Sequence, residues 1–144
     1  MNTLKINHLA VLVCVILLHV IGFLWYGPLF GEKWMGMVNI DPASAQNGSM
    51  EAGLWITNLI ASVAAVYLLA WLLARLNVTS GAQGAIIAFL VTFCIFHLSE
   101  MRGNMFAGFP YGLAWITGGF NLVGNTLSGC ILGAWTKRHV APSS

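Results

Sequence analysis

Long runs of apolar residues, separated by short polar stretches, dominate the pattern along this chain. Four such runs cover about residues 7–26, 52–74, 81–101 and 112–135. A helix of about 20 residues crosses the roughly 30 Å of hydrocarbon in a bilayer. No strand-like alternation runs over comparable lengths, and a transmembrane barrel needs about eight strands or more. The pattern therefore predicts an all-α integral membrane protein, a bundle of four transmembrane helices.

The connection after the first run has a helical pattern of its own. Pro28 is expected to end the first helix because it cannot donate a backbone hydrogen bond. Apolar residues then recur at helical spacing: Phe30, Trp34, Met37 and Val38. This spacing predicts a short helix in the plane of the membrane interface. Further along, Asp41 before Pro42 is typical of a helix N-cap, and Ser49 is placed to cap the second long helix.

Composition supports the membrane class and bounds the domain count. Hydrophobic residues make up 58% of the 144 residues and charged residues only 7%, whereas a soluble domain carries about 25% charged residues. The length predicts a single domain, residues 1–144. A net charge of +2 gives no basis for binding nucleic acid. Three cysteines within apolar runs do not suggest a disulfide framework.

Positive charges in the connections predict the orientation. Four spans place both termini and the second connection on one side, and these segments carry Lys5, Arg75, Lys137 and Arg138. The other side carries Lys33 and Arg102. Because short cytoplasmic segments are enriched in Lys and Arg, both termini are expected in the cytoplasm.

Small residues predict where helices pack closely. Gly129 and Gly133 form a Gly-x-x-x-Gly pattern in the fourth run, and such patterns let helix backbones approach each other within lipid. Contacts within the bundle and contacts between copies both fit this pattern, and packing within the chain is the favoured interpretation.

Three segments carry a resemblance to a known family. They are Trp25-Tyr26-Gly27-Pro28-Leu29-Phe30-Gly31-Glu32-Lys33-Trp34-Met35, Glu100-Met101-Arg102, and Gly129-Cys130-Ile131-Leu132-Gly133-Ala134-Trp135. With these segments the chain resembles the bacterial membrane family called domain of unknown function 1761, over nearly its whole length. The resemblance implies a multi-pass protein of the bacterial inner membrane. It implies no activity, because none is assigned to the family.

Polar side chains recur in the predicted outer half of each helix. Candidates for ligand binding or proton relay are His19, Asn58, His97, Glu100, Arg102, Asn121 and Asn125. Lipid offers such groups no hydrogen bond, so they are expected to turn inward and meet. An imidazole pair with a carboxylate also has the ligand types of a metal site, with His19, His97 and Glu100 as weak candidates.

Each of these residues also has a purely structural interpretation. A histidine within the bundle can bond a neighbouring carbonyl or amide, and Asn121 and Asn125 can join helices by hydrogen bonds. Glu100 with Arg102 is typical of an ion pair at a helix end. Aromatic side chains near a helix end are typical interface anchors, here Trp25, Tyr26 and Trp34.

The sequence favours a non-enzymatic role over catalysis. The first hypothesis is a self-associating bundle, or an accessory subunit of a larger membrane complex, that holds a small ligand or lipid in its outer half. The alternative is a proton or small-solute transporter that uses the His/Glu/Asn cluster. A metal-dependent membrane enzyme comes third, because paired Glu-x-x-His motifs are missing. No cofactor is predicted, and the expected partners are the lipid bilayer and other membrane chains.

Overall fold

The computed structural model describes residues 4–41, 43 and 52–138 and is helical over most of them. Its elements are β1 Leu4–Lys5, α1 His8–Leu24, α2 Gly31–Met37, α3 Ala52–Arg75, α4 Gly81–Val91, α5 Leu98–Phe106, α6 Tyr111–Ala134 and β2 Lys137–Arg138. A helix therefore occupies each of the four apolar runs, and a short helix follows the first. The Asp41 carboxylate accepts a hydrogen bond from the Ala43 amide at 3.1 Å. Pro42, the predicted first helical residue, and Ser49, the predicted cap of the second long helix, lie outside the described residues.

Two π-helical turns, Trp25–Leu29 and Thr92–His97, interrupt the regular helices. The second turn joins α4 to α5 in one continuous helix from Gly81 to Phe106. This helix continues past Met101, where the apolar run was expected to end. The reason is that polar residues mark the border of the hydrocarbon, whereas a helix can continue beyond that border.

The first π-helical turn lies where Pro28 was expected to end the first helix. Gly27 leaves helical geometry there, with φ −96° and ψ −107°. The Phe30 amide donates to the Trp25 carbonyl at 2.9 Å, five residues back instead of four. The chain then enters α2 at Gly31, where any Cβ would overlap the Tyr26 carbonyl oxygen. The turn and the short helix are therefore packed backbone against backbone.

Helices α4 and α6 pack through glycine. A Cβ at Gly84 would overlap the Gly129 carbonyl, and a Cβ at Gly129 would overlap the Gly84 carbonyl. A Cβ at Gly133 would lie 2.5 Å from the Ser80 carbonyl oxygen. Gly129 and Gly133 thus face another helix of the same chain, and the close approach adds dispersion contacts that lipid cannot supply.

Three helical segments of the described chain are long and apolar enough to cross a membrane: His8–Leu29, Ala52–Arg75 and Gly81–Phe106. Helix α6 is equally long, with 24 residues, but it does not meet the same requirement of apolarity. Its buried residues include Gly118, Gly124, Ser128, Gly129 and Gly133. Because it packs against α1, α3 and α4, protein rather than lipid surrounds much of its surface.

The first and last described elements, β1 and β2, meet at one end of the bundle. Strands β1 and β2 pair antiparallel, with Leu4 opposite Arg138. The Asn7 side-chain amide donates to the Trp135 carbonyl at 3.1 Å. Near this end α1 and α3 contribute to one core, whose members include Ala10, Val11, Cys14, Val66, Ala70 and Leu73. The helices are therefore closely packed at the end that holds β1 and β2.

Candidate functional site

At the opposite end, α1 and α3 separate and leave a cavity. Residues 52–61 of α3 are all exposed, in contrast to the buried residues near its other end. The cavity has a volume of about 530 Å³, in the range typical of small-molecule sites. Its lining comprises Leu18, His19, Gly22, Phe23, Tyr26, Gly27, Leu54, Trp55, Asn58, Ser62 and Phe120. The cavity is thus mainly apolar, with a few polar groups.

His19 supplies the most informative polar group of this cavity. Its Nδ1 lies 2.8 Å from the Val15 carbonyl oxygen, one helical turn back. A carbonyl only accepts hydrogen bonds, so Nδ1 must carry the proton and donate it. In a neutral imidazole the other nitrogen, Nε2, then holds a lone pair and accepts. The local helical contact therefore sets the tautomer.

Asn58 reaches the same imidazole from α3. Its Nδ2 lies 3.5 Å from His19 Nε2, a long contact compared with the usual 2.7–3.2 Å for a donor nitrogen. Ser62, one turn further along, donates to the Asn58 carbonyl at 2.8 Å. His19 and Asn58 are thus the two predicted candidates that meet, and their weak bond leaves both able to bind a third group.

The end of α1 next to the cavity is packed by three aromatic residues, Trp25, Tyr26 and Trp34. Trp25 Nε1 donates to the Ile116 carbonyl of α6 at 2.8 Å. The Tyr26 ring packs against Trp34 and Phe120, with ring centroids 5.4 and 5.6 Å apart. All three were expected as interface anchors, but Trp25 joins two helices and Tyr26 lines the cavity.

His97 lies elsewhere, on a different face of α6. It is fully buried, its ring centroids are 5.4 Å from Phe93 and 4.7 Å from Trp115, and it leaves no space for a Cβ at Gly118. Neither ring nitrogen has a hydrogen-bond partner among the described residues. Gly118 and Phe120 are about 200° apart around the helix, so α6 separates His97 from the cavity. The expected meeting of His19 with His97 does not occur.

The remaining candidates do not join this cavity. Asn121 donates to the Thr117 carbonyl of its own helix at 3.4 Å, and Asn125 is half-buried on the same helix. The predicted ion pair of Glu100 with Arg102 is wrong, since these two described residues form none. Side chains two apart on a helix do not face each other. Glu100 instead lies within electrostatic range of Tyr26.

The described residues contain no group of three or more His, Cys, Asp or Glu side chains arranged to hold a metal ion. His19, His97 and Glu100 are therefore not assembled as a three-ligand site. The arrangement that is present surrounds a mainly apolar cavity with the acceptor His19 Nε2, the Asn58 amide and the hydroxyl-bearing residues Tyr26 and Ser62.

Several lining residues were not predicted from the sequence, among them Phe23, Trp55, Ser62 and Phe120. Aromatic and small residues of this kind are equally common on lipid-facing and packed surfaces, so no periodicity marks them. One sequence signal did point to the cavity: His19 and Asn58 lie at a similar depth in the first and second apolar runs.

Comparison with protein families gives one match that covers most of the chain. Comparisons with curated proteins and with solved structures give no significant match. The matching family is described as protein of unknown function DUF1761, and the match includes the turn, the cavity residues and both ends of the glycine contact. With residues 9–133 covered by its model, the chain belongs to the DUF1761 family.

Proposed function

We propose that this protein is a four-span bundle of the bacterial inner membrane that holds a small ligand or lipid between α1 and α3. The observation that carries the proposal is the cavity of about 530 Å³ with His19 and Asn58 in contact on its wall. A polar pair within a membrane-spanning segment is costly unless its groups are satisfied. Binding a molecule that bonds these groups would offset that cost.

Four spans are supported by the pairing of β1 with β2. The pairing brings Leu4–Lys5 and Lys137–Arg138 together at one end of the bundle, and an even number of crossings would account for it. The 24 residues of α6 extend about 36 Å, enough for the remaining crossing. The Lys and Arg distribution favours a cytoplasmic position for both termini. The cavity then lies in the outer half of the bilayer.

The other roles remain predictions. Self-association was inferred from the small-residue patterns, and Gly129 and Gly133 pack against Gly84 and Ser80 of the same chain. A His19–His97 proton relay has no direct contact among the described residues to carry it. Holding a molecule without catalysis needs only the groups that the cavity offers.

The proposal is tested by asking what is bound to the purified protein. The protein is isolated in mild detergent, and its bound small molecules and lipids are extracted and quantified by mass spectrometry. We expect a specific molecule at close to one equivalent. Ser62→Leu, which fills part of the cavity, should lower that amount several-fold.

Ala61→Leu is the matched control, because Ala61 is exposed and is not among the residues lining the cavity. It should retain the bound molecule. Less than a tenth of an equivalent in the wild-type protein, or the same amount in both variants, would contradict the proposal.

A further inference from the structure

We propose that the bound molecule is a neutral amphiphile whose polar end is a hydroxyl group and whose body is an apolar chain. The hydroxyl would bind between His19 and Asn58, and the chain would lie in the adjoining groove of α1. This inference rests on the proposed function and names the chemical class of the ligand.

The tautomer of His19 requires a hydrogen-bond donor on the ligand, which a hydroxyl supplies. Because Nδ1 donates to the Val15 carbonyl, the neutral ring leaves only the lone pair of Nε2 for a partner. A ligand must therefore donate a hydrogen bond to it. Ethers, ketones and carboxylates have no proton to donate, and the oxygen of each would repel the lone pair. A hydroxyl donates and accepts at once.

Asn58 supplies the complementary group. Its Nδ2 is a donor that lies 3.5 Å from His19 Nε2. A hydroxyl oxygen placed beside both groups can accept from the Asn58 amide while its proton binds Nε2. This exchange replaces one long hydrogen bond with two bonds of ordinary length. The Ser62 hydroxyl does not compete for His19, because it already donates to the Asn58 carbonyl.

The absence of charge on the cavity wall favours a neutral molecule. None of the described residues lining the cavity is Lys, Arg, Asp or Glu. A charged ligand at this depth would lose hydration without gaining a counter-charge from the wall.

The apolar body follows from a second groove that meets the cavity at His19. This groove has a volume of about 520 Å³ and shares His19 and Phe23 with the cavity. Its lining is otherwise entirely aliphatic: Leu12, Val15, Ile16, Val20, Leu24 and Leu59. It follows α1 from His19 toward the middle of the bilayer. A chain attached to the bound hydroxyl therefore has an apolar path open to lipid.

The experiment compares three probes that share an octyl chain and a benzene ring. They are 4-octylphenol, its methyl ether 4-octylanisole, and the cationic 4-octylbenzylamine. Each is titrated by native mass spectrometry into the full-length protein in lauryldimethylamine oxide, a detergent without hydroxyl groups. We expect the phenol to bind about tenfold more tightly than the ether, the worth of one hydrogen bond. The amine should also bind more weakly than the phenol.

Two histidine variants on the same helix provide the matched comparison. His19→Phe should abolish the preference for phenol over ether. His8→Phe, which removes a ring bonded to Tyr67 at the other end of α1, should preserve it. Asn58→Leu, on the neighbouring helix, should reduce it as well.

The outcomes separate the two proposals. Equal binding of phenol and ether, tighter binding of the amine, or an equal loss in both histidine variants would overturn the hydroxyl while leaving a ligand-holding cavity. Binding of none of the probes, together with no co-purified molecule, would contradict the proposed function itself.

Discussion

At the scale of single residues, His97 makes the closest approach of any side chain to a glycine of α6, at Gly118. The fully buried imidazole lies so close that an added Cβ would overlap Nδ1. Phe93 and Trp115 hold the ring from other sides. The ring therefore has little freedom to move away.

Gly118→Ala is predicted to destabilise the protein by about 1–3 kcal/mol, the usual cost of overpacking. The measurement is the apparent melting temperature in detergent, followed by fluorescence. Gly103→Ala is the control, because nothing lies within 4 Å of a Cβ added there. It should leave stability unchanged or raise it by up to about 1 kcal/mol. Equal melting temperatures for the two variants would contradict the described packing.

The same residues show what the sequence could predict of the site. Helical rise gave the depths of His19, Asn58 and His97 in the bilayer, and so predicted polar groups at one end of the bundle. It did not give their direction around each helix, because hydropathy hardly differs among the faces of an apolar helix. The structure therefore joins His19 to Asn58 but places His97 on another face of α6.

At the scale of elements, the glycine contact of α4 with α6 determines how the bundle is built. The pattern Gly129-x-x-x-Gly133 predicted close packing, and the structure provides the partner residues Ser80 and Gly84 within the same chain.

The four apolar runs predicted the long helices well, since hydropathy over about 20 residues is a strong signal. The π-helical turns were not predicted, because they depend on hydrogen bonds that composition does not reveal.

A cross-link tests this contact. A Cβ at Gly81 would lie 3.2 Å from Cys130 Sγ, close to the spacing within a disulfide. Gly81→Cys is therefore predicted to form a disulfide with Cys130 under mild oxidation and to migrate as a compact monomer in non-reducing gels.

Gly53→Cys serves as the control, since nothing lies within 4 Å of a Cβ at that position. It should give no such band. Formation of covalent dimers by Gly81→Cys, with no compact monomer, would show that the small-residue stripe joins separate copies instead.

At the scale of the whole molecule, the paired strands β1 and β2 and the cavity lie at opposite ends of the bundle. The Asn7–Trp135 hydrogen bond and the two short strands define one end, and the turn after α1 defines the other. This arrangement predicts four crossings, with α2 outside and the α3–α4 connection inside.

Labelling of single cysteines tests this topology. In a background with the three native cysteines replaced by Ser, Lys33→Cys should react with an impermeant maleimide in bacterial spheroplasts. Leu76→Cys, at a position 55% exposed, and Thr136→Cys should react only after lysis. Labelling of Thr136→Cys and Leu76→Cys on opposite sides would indicate an odd number of crossings after residue 76 and contradict the account.

The claim on which the proposed site depends is that His19 directs an unprotonated Nε2 into the cavity. Nitrogen-15 magnetic resonance of the histidine rings in lipid bilayers measures this directly, with the four histidines assigned by single substitution. We expect a His19 ring that is protonated at Nδ1 and not at Nε2, and whose Nε2 signal shifts when 4-octylphenol is added. A ring protonated at Nε2, or an Nε2 signal that the phenol leaves unchanged, would contradict the proposed site.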